Sequence, residues 1–197
     1  MLPYTKIDNY VLDDSKIEEY YQHFKGYVDN IFYRDNQGSV PKVTTIYGHD
    51  EWVENNPELK EYKDKTLNVI AKDFINYYDL DVGFNCFILI TKADKILKWH
   101  IDGAAAVGAP KAAFMYDFRN TERAPTTFDY NGKIYNLDGY KAALINTSTM
   151  NMVDNTGHGK RYNLRISLYG KSFEEINEKI LSKHIYWRRN TKLAWWV

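Results

Sequence analysis

A chain of 197 residues is long enough to bury a substantial core around a small-molecule pocket. Lys and Arg total 26, as do Asp and Glu, so no global field favours nucleic acid, a membrane surface or an acidic partner. The single cysteine, Cys86, excludes an internal disulfide framework and any zinc site made of several thiolates. Cys86 lies in the apolar run 84–90 and reads as a small buried hydrophobe. No apolar run approaches the roughly 18 residues of a membrane span. The start, Met1-Leu2-Pro3-Tyr4-Thr5-Lys6, lacks the apolar centre of a secretory signal. A cytoplasmic or viral location is therefore expected.

In chain order, the first element is a helix from about Lys16 to Tyr33. Ser15 followed by Glu18 has the capping-box pattern, and Asp13 and Asp14 put negative charge at the positive end of the helix dipole. Ile17, Tyr20, Tyr21, Phe24, Tyr27, Val28, Ile31 and Phe32 repeat at helical spacing along one stripe. Asn36-Gln37-Gly38-Ser39 ends that unit. A second helix begins at Pro57, a residue suited to the first turn, and carries Leu59, Tyr62, Leu67, Ile70, Phe74 and Tyr78 on one face.

After Gly83 the pattern changes to short β-prone runs broken by turn residues. They cover 85–91, 96–102, 112–118, 126–130, 133–136, 142–146, 149–154 and 162–168. Asn131-Gly132 between two of them is a two-residue hairpin signal. So many short strands in succession read as a sandwich or jelly-roll barrel rather than an alternating βαβ sheet. Ser172 with Glu175 caps a last helix from Phe173 to about Lys183. The tail ends Leu193-Ala194-Trp195-Trp196-Val197, aromatic enough to pack back on the sheet or to join an oligomer or assembly interface. With no repeat or linker, the chain reads as one α+β, mainly β domain. Residues 1–82 form a mostly helical flank, 83–170 a β-barrel core, and 171–197 the last helix and tail.

Two clusters carry chemistry. In Trp99-His100-Ile101-Asp102-Gly103, a histidine and a carboxylate two apart on a strand point to one face. They supply two thirds of the facial triad that holds non-haem Fe(II); a structural histidine beside a turn aspartate is the other reading. Further on, Arg161 and Arg165 are four apart on a strand, sharing a face with Asn163 and Ser167. Inward arginines are costly unless they meet an anion, and a guanidinium grips a carboxylate bidentately, so an organic acid in the barrel would partner them. Surface arginines paired with Asp or Glu are the alternative.

Together with Phe114-Met115-Tyr116, Ala124-Pro125-Thr126-Thr127-Phe128 and the block from Asn146 to Ser167, these segments resemble the Fe(II)/2-oxoglutarate-dependent dioxygenases. The likeness is closest to the aspartyl/asparaginyl β-hydroxylase-like and phage-type members. The resemblance implies a double-stranded β-helix, a jelly-roll or cupin-like core with N-terminal flanking helices and a short C-terminal helix. It also implies iron-dependent hydroxylation coupled to conversion of 2-oxoglutarate to succinate. His100 and Asp102 match the first two iron ligands. Arg161 matches the residue pairing the distal carboxylate of 2-oxoglutarate, with Arg165 as the nearby alternative, and Asn155 matches the family asparagine. The departure is Asn151, which stands where the second histidine belongs. Two assignments stay open for the third metal ligand: His158, brought round by a shifted turn, or Asn151 itself. The competing expectation is a barrel of the same ancestry without catalysis, serving as a binding or assembly module, for instance within a viral particle.

Overall fold

The computed structural model describes residues 1–35, 44–47, 53, 56–102, 108–119, 122 and 124–193. Side-chain alternation organises its strands. In β3 (Gly83–Thr91), Cys86, Ile88 and Ile90 point to one side, while Phe87 and Leu89 point to the other. The same division recurs in β5 (Ala112–Asp117), β8 (Ala142–Asn146) and β10 (Arg161–Tyr169). With the short edge strands β1 (Tyr4–Lys6) and β2 (Thr44–Tyr47), these form a six-stranded antiparallel sheet in the order β1-β8-β5-β10-β3-β2. A four-stranded sheet faces it: β4 (Ile96–His100), β9 (Met150–Asp154), β6 (Thr126–Tyr130) and β7 (Lys133–Leu137), in that spatial order. Apart from the β6–β7 hairpin, the chain passes back and forth between the sheets from β3 to β10, so most neighbours within each sheet are distant in sequence.

Two cores follow from the two faces of the larger sheet. Its outer face carries Ile88, Phe114, Leu144, Leu164 and Ile166, and receives the helices through Ile17, Tyr20, Phe24, Phe74, Ile176 and Ile180. Many of the tyrosines serve this layer: the Tyr78 hydroxyl donates to Asn9 Oδ1 at 3.3 Å and that of Tyr116 to the Leu12 carbonyl at 3.1 Å. Phe74 and Phe114 rings meet at 4.3 Å between centroids. Between the sheets lies a smaller apolar cluster that includes Ala113, Met115, Phe128, Leu137 and Ile145. Cys86 is fully buried in the outer core, where desolvation pushes its thiol far up.

The eight β-prone runs all appear as β3 to β10, with ends displaced by at most two residues. Asn131 and Gly132 both have positive φ (53° and 71°), the geometry a two-residue primed turn requires. Ser172 and Glu175 close the expected capping box: Glu175 N–H donates to Ser172 Oγ (3.2 Å) and Ser172 N–H to Glu175 Oε2 (2.8 Å).

The helices depart from expectation in three places. The helix α1 (Asp14–Asp35) starts on Asp13, whose carboxylate accepts from the Ser15 N–H at 3.0 Å. Glu18 does not reach back to complete a box, because it is held by Arg119 Nε at 2.8 Å. The helix begun at Pro57 is two helices, α2 (Pro57–Lys65) and α3 (Leu67–Tyr78). Thr66 breaks it at φ −121° and ψ −88°, its hydroxyl bonded to the Tyr62 carbonyl. The last helix, α4, runs from Phe173 to Leu193, ten residues beyond the expected end. The terminator at 36–39 and the tail residues 194–197 lie outside the described residues. No described helix is long and apolar enough to cross a membrane.

Phe114→Ala removes a fully buried ring and should lower unfolding free energy by about 3–5 kcal/mol in urea denaturation. Ile134→Ala, at a side chain 60% exposed on β7, should cost no more than about 0.5 kcal/mol. Arg119 also stacks on the Tyr162 and Tyr21 rings, at 4.0 and 4.8 Å, and its hydrogen bond lowers the Glu18 carboxyl below 4.5. The ionic part of that clamp is therefore present above 4.5 and lost as pH falls through the lowered folded value. The difference in melting temperature between wild type and Arg119→Met should shrink between pH 6 and about pH 3.

Candidate metal centre

The centre begins with an irregularity in β4. Leu97 pairs with Val153 and His100 with Asn151, so three steps along β4 match two along β9. The extra residue is a β-bulge. Simple alternation from Leu97 would turn Trp99 inward and His100 outward; the bulge reverses this. His100 lines the space between the sheets, and Trp99 is 44% exposed on the outside. The strand ends at His100 rather than continuing to Asp102, and Asp102 enters the same cavity from the turn that follows.

His100 Nδ1 lies 2.7 Å from the Lys98 carbonyl. A carbonyl only accepts, so Nδ1 carries the proton there, and Nε2 is the ring nitrogen turned to the cavity. Nε2 stands 3.3 Å from Asp102 Oδ1. The other oxygen, Oδ2, receives a hydrogen bond from Arg165 Nη2 at 3.0 Å, and Arg165 Nε donates to Ser167 Oγ at 3.2 Å. Burial pushes the Asp102 carboxyl up, but the His100 hydrogen bond and the Arg165 charge outweigh it and hold the group at about 2. The hydrogen bond with Asp102 raises the His100 imidazole above 6.5, against the opposing effect of burial.

Asn151 is 5% exposed and lies opposite His100 across the β4–β9 ladder. Its Nδ2 donates to two backbone carbonyls, those of His100 (3.3 Å) and Thr149 (3.2 Å). These acceptors fix the orientation of the amide, leaving the oxygen as the end available to the cavity that Asn151 lines. Among the described residues there is no group of three His, Cys, Asp or Glu side chains able to hold a metal ion. His100, Asp102 and Asn151 nevertheless line one cavity, with an imidazole, a carboxylate and an amide among them. That donor set fits a divalent ion.

The structure does not bring His158 to this site. Its backbone N–H donates to the Asn155 carbonyl, and its own carbonyl accepts from Asp94 N–H. This places it against the β3–β4 turn, at the opposite end of β4 from His100. Asn155 holds the connection there: fully buried, it donates through Nδ2 to the Lys92 (3.0 Å) and Gly159 (2.7 Å) carbonyls. Asn155 thus braces two turns and does not line the cavity.

The cavity has a volume of about 350 Å³ and apolar walls that include Phe87, Leu89, Leu97, Met115, Ile145 and Val153. Arg161, Asn163, Arg165, Ser167 and Tyr169, successive inward positions of β10, form a polar stripe along it. Arg161 is 2% exposed, near the end closed by the two turns, and its Nη2 donates to Thr126 Oγ1 at 3.0 Å. Arg165 lies midway and is committed to Asp102. Thr126, at the start of β6, and Tyr140, in the connection between β7 and β8, also line the cavity; Tyr140 was not singled out by sequence, because no local pattern marks it.

No family model and no curated protein matches the chain. Solved structures do. A prolyl hydroxylase from Trichoplax adhaerens, in complex with a hypoxia inducible factor oxygen degradation domain peptide fragment, aligns with a TM-score of 0.50 at 14% identity, covering 85% of this chain and 83% of that one. A putative oxygenase from Shewanella oneidensis aligns at 0.49 and 11% identity, over 92% and 90%. A viral collagen prolyl hydroxylase from Paramecium Bursaria Chlorella virus-1 aligns at 0.47 and 13% identity, over 86% and 97%. With the Trichoplax enzyme the chain shares a fold, two facing antiparallel sheets flanked by helices.

Proposed function

We propose that this chain is a non-haem Fe(II)/2-oxoglutarate-dependent oxygenase that hydroxylates a peptide or protein side chain or a small molecule. One observation carries the reading: metal-type donors, His100 and Asp102, and a buried guanidinium, Arg161, line one cavity about the size of a small ligand site. The passage of β3 to β10 back and forth between two sheets supports a double-stranded β-helix as the scaffold. Of the two candidate third ligands, Asn151 is favoured by its pairing with His100 and its place on the cavity wall.

Each residue then has a task. His100 Nε2, one Asp102 oxygen and the Asn151 amide oxygen hold the ion. Lys98 fixes the histidine tautomer through its carbonyl. Arg165 keeps Oδ2 of Asp102 engaged, so that the carboxylate offers its remaining oxygen beside His100. Arg161, steadied by Thr126, grips the distal carboxylate of the cosubstrate. The apolar walls exclude water from the space between them. When bound, Fe(II) and 2-oxoglutarate supply the oxidative chemistry, with 2-oxoglutarate leaving as succinate and carbon dioxide.

Anaerobic addition of Fe(II) and 2-oxoglutarate should produce the weak visible charge-transfer band of the chelate, and admitting air should yield succinate. Absence of both would sink the oxygenase reading and favour a non-catalytic barrel. Arg161→Met should weaken 2-oxoglutarate binding about a hundredfold, the scale of one lost buried charge pair. It should leave Mn(II) binding in the absence of 2-oxoglutarate within about threefold. Arg165→Met should weaken 2-oxoglutarate less, since that guanidinium is already held by Asp102.

A further inference from the structure

The orientation of Asn151 decides what kind of ion the centre takes. Both hydrogen bonds from Nδ2 go to backbone carbonyls fixed in the β4–β9 region, and rotating the amide would set oxygen against oxygen at each. The cavity therefore receives an amide oxygen, a neutral donor of the same class as a backbone carbonyl. Asp102 adds carboxylate oxygen, and only His100 offers nitrogen. Imidazole suits the later divalent ions, whereas carboxylate and carbonyl oxygens suit Mg(II), Ca(II) and Mn(II). Exchanging one imidazole for an amide oxygen removes much of the steep rise in affinity from Mn(II) towards Zn(II).

We infer that this is an oxygen-rich centre whose preference for Co(II) and Zn(II) over Mn(II) is much smaller than that of a two-imidazole centre. The inference rests on the reading that His100 and Asp102 hold a divalent ion, and it makes Asn151 the residue that sets metal selectivity. Fe(II), between Mn(II) and Co(II) in the series, remains a permitted occupant. The nearby Arg165 charge does not alter the ranking, because it opposes every divalent ion equally.

The test measures metal binding by the whole protein without turnover. Mn(II) is followed by loss of the free-ion EPR signal, Co(II) by its visible spectrum, and Zn(II) by competition. Asn151→His should tighten Co(II) and Zn(II) by at least about tenfold and Mn(II) by less than about threefold. If that variant does not fold, as judged by circular dichroism, Asn151→Cys replaces it, because a thiolate suits Zn(II) far better than Mn(II), and should tighten Zn(II) at least about tenfold and Mn(II) by less than about threefold. Equal changes for all ions, or none, would overturn the inference while leaving the metal reading intact, provided Asp102→Ala abolishes wild-type binding. Binding of no ion by wild type, or binding indifferent to Asp102→Ala, would overturn the metal reading itself.

Discussion

Two guanidinium groups buried between β-sheets are a heavy burden for a protein of this size, and the interior is arranged around meeting it. Arg161 and Arg165 are 2% and 9% exposed, on a strand whose opposite face is Leu164, Ile166 and Leu168. A charge so placed is tolerated only with partners, because the desolvation penalty of an unpaired ion exceeds what one strand's burial returns. Arg165 finds Asp102 and Ser167. Arg161 finds Thr126 from the facing sheet. β10 is therefore built as two unlike faces: its apolar side anchors the helices, and that anchorage holds its polar side still enough to define a cavity.

The bulge in β4 is the second requirement. Without it, Trp99 would occupy the cavity and His100 would face solvent, and Asp102 would have no imidazole beside it. With it, the His100–Asn151 pair sits at one point of the ladder, and the amide nitrogen of Asn151 closes on the His100 carbonyl. The same residue that leaves the donor set short of an imidazole thus helps to hold the remaining imidazole in register.

Much of this was legible in the amino-acid order, and the limits have physical causes. Short β-prone runs between turn residues located every strand from β3 to β10, and spacing alone predicted that Arg161, Asn163, Arg165 and Ser167 share a face, because alternation is a local property of the backbone. The bulge was not legible: one extra residue leaves composition untouched and shows only against the partner strand. The diversion of Glu18 from its cap to Arg119 depends on a residue 101 positions away. The break at Thr66 is a weak signal within a continuous apolar stripe. His158 stood near enough in sequence to compete for the third ligand position, but Asn155 ties its turn to the far end of β4, and no spacing rule conveys that tie.

Charge in the cavity constrains how it can be loaded. Its lining holds one carboxylate, Asp102, against two guanidiniums, Arg161 and Arg165, so with His100 neutral it is already cationic. A divalent ion bound alone raises that excess in a space with little water to screen it. A dicarboxylate bound alone gains from both arginines, yet leaves its inner carboxylate without the ion that would chelate it. Ion and dianion together restore the original net charge, each relieving the repulsion that the other faces. The division of Asp102, with Oδ2 to Arg165 and Oδ1 beside His100, makes this possible, because the arginine and the ion draw on different oxygens of one carboxylate. The pair that stabilises buried Arg165 is thereby compatible with a metal, and on the proposed reading the coupling between ion and cosubstrate is a property of the cavity's charge before any chemistry begins.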